Sequence, residues 1–97
     1  MAVLDIVKSD LRIMHEDLDD ALTTQIYTAR AEMKRVGIKE SIADDESNLL
    51  VTAAIVSYCR MLNANNTAEA DMNERSWKYQ LDCLRKSSFK DPGGGDV

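Results

Sequence analysis

Ninety-seven residues make one domain with a thin core, small enough for oligomerisation to supply part of its burial. One proline, at position 92, and four glycines, three of them directly after it, leave residues 1–91 almost free of helix breakers, and an aromatic content of 5% argues against a sandwich or barrel of strands. A net charge of -5 opposes phosphate-rich partners overall. With no leader-like opening and no bilayer-length apolar run, a cytoplasmic all-α protein with no membrane association is expected.

Leu4, Val7 and Leu11 recur at spacings of 3 and 4 and predict a short first helix with one apolar stripe. A helix of about ten residues is marginal in water, so this one must dock on the rest. The pattern breaks at Arg12-Ile13-Met14-His15 and leads into Glu16-Asp17-Leu18-Asp19-Asp20. Asp17 is expected to cap the next helix, with Asp19 and Asp20 in its first turn, where carboxylates complement the positive end of the dipole. A cation site on His15, Asp17, Asp19 and Asp20 fits poorly. A calcium loop starting at Asp17 would put Ala21, Leu22 and Thr28 where a ligand, the turn glycine and the terminal glutamate belong. Zinc would find one imidazole and no nearby thiol.

Leu18, Leu22, Ile26, Ala29, Met33 and Val36 then form the clearest amphipathic stripe, ending at Gly37, a natural left-handed terminator. Thr24, Thr28, Lys34 and Arg35 lie on its far side, and Tyr27 is expected at the core edge. Residues 38–46 read as a connection pinned by Ile38, Ile42 and Ala43. Asp44-Asp45-Glu46-Ser47 offers caps for the helix that follows. That helix is the centre of the chain: of the 14 residues Leu49–Leu62, 11 are apolar, so it has no fully polar face and should be enclosed by the others. Asn63 to Thr67 is a polar break. A last helix over residues 68–89 carries Trp77, Leu81, Leu84 and Ser88 on one face, with Trp77 against the central helix and its indole nitrogen near solvent. Glu74, Lys78, Asp82 and Arg85 fall on other faces. The expected architecture is a small four-helix, bundle-like domain over residues 1–90, with residues 91–97 as a flexible glycine-rich tail.

Charge is uneven. Residues 1–48 hold 11 acids against 6 bases, and residues 74–90 hold 2 against 5. An acidic first half and a basic last helix suit a head-to-tail contact between identical subunits, which makes rings or filaments. Its candidate inter-subunit residues are Asp17, Asp19 and Asp20 against Lys78, Arg85 and Lys86; the plainer reading is two solvated faces. Cys59 and Cys83 fit no zinc or redox spacing and read as reduced core thiols. In a hairpin turning near Asn65-Asn66, Cys59 faces position 72 and lies roughly 16 Å along the axis from Cys83 at 1.5 Å per residue, too far for a disulfide. The single histidine has no Ser or Cys near it in sequence, and the one glycine cluster lies in the tail. No catalytic pair, phosphate loop, cofactor site or metal site is therefore expected, and the chain reads as no enzyme. Arg75, Lys78, Arg85, Lys86 and Lys90 leave a small helical DNA-binding or regulatory module as the alternative, against which the overall charge stands.

The run Val7-Lys8-Ser9-Asp10-Leu11-Arg12 through Asp17-Leu18-Asp19-Asp20-Ala21-Leu22, continuing to Ile26 and Ala29-Arg30, resembles the head-tail connector (adaptor) proteins of tailed bacteriophages. Those open with a short helix ending in Leu-Arg, an acidic turn, and a helix carrying Leu, Ile and Ala-Arg. Their later apolar helix, with an aromatic and a basic residue near its end, is similar to residues 50–60 with Tyr58 and Arg60. The resemblance spans residues 4–62. It implies a structural subunit that forms a ring below the portal, extends the DNA channel and docks the tail. Implied partners are copies of itself, the portal protein, tail or stopper proteins, and DNA passing without sequence reading, all at the virion neck. The last helix with Trp77 and the glycine tail fall outside the resemblance, and residues 37–46 lack the family's usual aromatic residue.

Overall fold

The apolar stripes along the chain become helices that share one core. The computed structural model describes residues 2–89, in which five helices and no strand occur: α1 (Val3–Leu11), α2 (Asp19–Arg35), α3 (Glu40–Ala43), α4 (Leu49–Leu62) and α5 (Thr67–Phe89). The domain is all-α and bundle-like, four helices as expected plus the single turn α3 inside the connection after α2. Lys90 and the expected tail over residues 91–97 lie outside the described residues.

α1 turns Val3 and Val7 into the core. It ends at Arg12, held in the left-handed region at φ 60°. There the Ile13 amide donates to the Lys8 carbonyl (2.9 Å) and the Arg12 amide to the Ser9 carbonyl (3.2 Å). This is the paired closure that usually recruits glycine. α2 closes in the same way: Ile38 donates to the Met33 carbonyl (3.0 Å) and Gly37 to the Lys34 carbonyl (3.1 Å). Gly37 sits at φ 104°, where a side chain would be strained. Met33 and Ile38, both buried, complete the apolar contact that accompanies this motif.

Leu22, Ile26, Ala29 and Met33 deliver the buried face of α2 as the spacing requires. Tyr27 does not sit at the core edge; it is 69% exposed, because one residue past Ile26 turns it about 100° off the stripe. Ile38 and Ala43 are buried and Ile42 is half-buried, so the connection is pinned where expected.

α4 has the expected limits. Val51, Ala54, Ile55 and Cys59 are its fully enclosed side chains. Its first turn, however, is not covered: Leu49 is 78% and Leu50 65% exposed. Asn48 caps it, accepting from the amides of Leu50 (2.9 Å) and Val51 (3.1 Å) through Oδ1. The expected caps, Asp44 to Ser47, do other work.

α5 runs back along α4, and this is the largest helix pair in the fold. Trp77 is buried against Tyr58, with ring centroids 4.7 Å apart at an interplanar angle of 53°, a tilted arrangement aromatic pairs favour. Asn66 leads the helix. Its Oδ1 accepts from the Glu69 amide at 2.8 Å, while the Glu69 carboxylate accepts from the Asn65 amide at 3.4 Å, a reciprocal cap. Cys59 is buried and Cys83 exposed, both free. They do not bridge, as the hairpin geometry requires, but Cys83 is a surface thiol rather than a core one.

Candidate assembly surface

The turn between α1 and α2 carries the acidic cluster, and the helices around it divide its members. Asp17 is not the cap of α2. That position is Leu18, which has no side-chain oxygen to offer and makes no cap hydrogen bond. The Asp17 amide instead donates to His15 Nδ1 (3.3 Å), and its carboxylate, 91% exposed, stands 3.9 Å from the same nitrogen. Asp19 turns inward, its Oδ1 2.7 Å from Lys8 Nζ of α1. That oxygen is buried and has no aligned hydrogen bond, so the contact is Coulombic and ties the two helix ends together. Asp20 is exposed in the first turn of α2. Of the three candidate acids, Asp17 and Asp20 face outward and Asp19 serves the fold.

The basic candidates lie on one helix. Lys78 pairs with Glu74 (3.1 Å) and Lys86 with Asp82 (3.0 Å), one turn apart in each case. Such exposed pairs are screened by solvent, contribute little and exchange readily for better ones. Arg85 is exposed and lines a shallow groove of ≈ 180 Å³ with Val36, Leu81 and Lys78. Among the described residues, no hydrogen bond or ion pair joins these bases to the acidic turn, and the two sets lie on different elements.

A second polar constellation escaped the sequence reading. Arg30 is buried, its Nη1 donating to the Ala43 carbonyl (2.5 Å) and its Nη2 to Glu46 Oε1 (2.8 Å). The other oxygen of Glu46 accepts the Val3 amide at 2.6 Å. One ion pair thus holds the start of α1, the middle of α2 and the end of α3. Glu46 also places a carboxylate on the positive end of α1. Arg30 falls four residues after Ile26 and three before Met33, on the apolar stripe itself, and that was the available signal. A bidentate pair, Arg60 with Asp10 (2.7 and 2.5 Å), links α4 to α1.

These groups order the fold. Burial pushes the Cys59 thiol up to about 12, which makes it a poor nucleophile at neutral pH. Among the described residues, no group of three or more His, Cys, Asp or Glu side chains gathers as a metal would require. No helix there is long and apolar enough to cross a membrane. A polar groove of ≈ 540 Å³ runs between the ends of α1 and α4 and the start of α5, past Ile13, Arg60, Glu69 and Met72. The chain matches no protein-family description, no curated protein and no solved structure.

Proposed function

We propose that this chain is a structural head-tail connector subunit of a tailed bacteriophage. It assembles with its own copies as a ring below the portal, extends the DNA channel and gives tail or stopper proteins their docking surface at the virion neck. The observation that carries the reading is the uncovered start of α4. Leu49 and Leu50 open the most apolar helix of the chain and still face outward, 78% and 65% exposed, where a neighbouring subunit would remove them from water. The sequence resemblance over residues 4–62 supports the same conclusion. So does the separation of the outward acids Asp17 and Asp20 from Lys78, Arg85 and Lys86, a polarity that suits a heterologous, ring-closing contact.

Electron microscopy and mass measurement of the purified chain, with and without its portal protein, test the proposal. Rings are expected. The double variant Leu49→Ser/Leu50→Ser, and separately Arg85→Glu/Lys86→Glu, should lower their yield with helix content unchanged. A chain that stays monomeric with portal present removes the reading.

A further inference from the structure

α5 carries a second stripe that the core does not use. Counting 100° per residue, Met72, Ser76, Tyr79 and Cys83 fall within an arc of about 60°, and Asn73, Trp77 and Leu84, which face the core, lie about 120° away. All four stripe residues are exposed, Tyr79 by 70%. Their spacing of 4, 3 and 4 is the seam of a left-handed two-helix contact.

The far flank of this stripe holds Asp71, Arg75, Asp82 and Lys86, all within another arc of about 60°. Their signs run minus, plus, minus, plus. Reversing the helix about the midpoint between Lys78 and Tyr79 exchanges position 71 with 86 and 75 with 82, so each charge meets its opposite. The face is self-complementary under a twofold axis. A parallel pairing would instead stack Tyr79 on Tyr79 and Cys83 on Cys83 and give the four charges no opposite partner.

We infer that α5 pairs with α5 of a second copy, antiparallel and twofold-symmetric, through Met72, Ser76, Tyr79 and Cys83, with Asp71 against the partner's Lys86 and Arg75 against the partner's Asp82. The pair exchanges two exposed intrahelical bridges, Lys86 with Asp82 at 3.0 Å in each copy, for four bridges between chains. Its apolar seam spans 11 residues, roughly 16 Å, so the contact is a small, concentration-dependent one. An isologous contact closes at two copies and cannot by itself build a ring. The inference therefore stands apart from the connector reading, although Lys86, which that reading sets against a neighbour's acids, can serve only one of the two contacts at a time.

Sedimentation equilibrium and thiol crosslinking test it together. The wild-type chain should move from monomer to dimer as concentration rises. Arg75→Asp should weaken the dimer about tenfold by placing like charges together twice, and Arg75→Asp/Asp82→Arg should restore it. In Met72→Cys, mild oxidation should join the new thiol to the partner's Cys83, which the antiparallel register places two residues, roughly 3 Å, away along the axis. Met72→Cys/Cys83→Ser should not crosslink. A monomer at millimolar concentration overturns the inference. So does an Arg75→Asp variant that dimerises as wild type, or a Cys83-to-Cys83 bond that forms as readily as the Met72→Cys crosslink. Ring formation with the portal is read separately and is not decided by these arms.

Discussion

Two residues show how local chemistry sets stability here. Arg12 is the one non-glycine residue at positive φ among those described. A residue with a Cβ holds that conformation at a cost of about 1–2 kcal/mol, whereas glycine gives up about 0.5–1 kcal/mol in chain entropy. Arg12→Gly should therefore stabilise the fold by about 0.5–1 kcal/mol in urea unfolding; a loss would mean that the arginine side chain supports the turn. Cys59 acts in the opposite sense as pH rises. Burial lifts its thiol from 9.0 to about 12, so the folded state favours the neutral form. That contribution is complete below pH 9 and is lost as the pH climbs toward 12, at about 1.4 kcal/mol per unit. Tyr58, also raised by burial, adds its own loss above pH 10. The urea midpoint should accordingly fall between pH 9 and 11 in the wild type, and Cys59→Val should flatten that fall.

Elements were legible in the sequence where one face decided them. α4 kept its limits at Leu49 and Leu62, and α2 its stripe and glycine closure, because apolar spacing and Gly37 act within a few residues. The turns were less readable. Asp17 lost the cap position to Leu18 because Asp19 is held by Lys8 of α1, a tertiary tie that moves the helix start. Its place just before α4 makes Glu46 a local cap by sequence, yet it caps α1 across 43 positions, which no local pattern encodes. Arg30, on an apolar stripe, is polar by composition and buried by partnership. Its removal tests how far one side chain joins the elements. Arg30→Ala should cost about 2–3 kcal/mol, because the Ala43 carbonyl is left unpaired inside the protein and Glu46 loses its counter-charge. Glu46→Gln, which keeps an acceptor for Val3, should cost less. Equal losses for the two in chemical denaturation would place the stabilisation in charge alone.

At the scale of the molecule, shape and charge separate the two functions weighed from the sequence. The described chain spans 46 × 28 × 18 Å, with α5, about 35 Å long at 1.5 Å per residue, laid along α4. A helix that reads DNA must present a basic, unneutralised face to the groove. On α5, Lys78 and Lys86 are paired with Glu74 and Asp82, and Asp71 shares the outer side with Arg75, so the field along the helix alternates in sign. The first 48 residues add 11 acids against 6 bases, and Asp17 and Asp20 hold part of that charge outward. In the proposed connector such a surface would let a duplex pass the channel without being gripped. In fluorescence anisotropy at about 50 mM salt, where phosphate contacts are strongest, the chain should bind duplex DNA no tighter than about 10⁻⁴ M, the weak end of non-specific affinity. It should also show no preference among sequences. Tight binding that falls steeply with added salt would instead mean that several bases of α5 leave their own carboxylates for phosphate, and the regulatory module would then replace the connector as the better account of this fold.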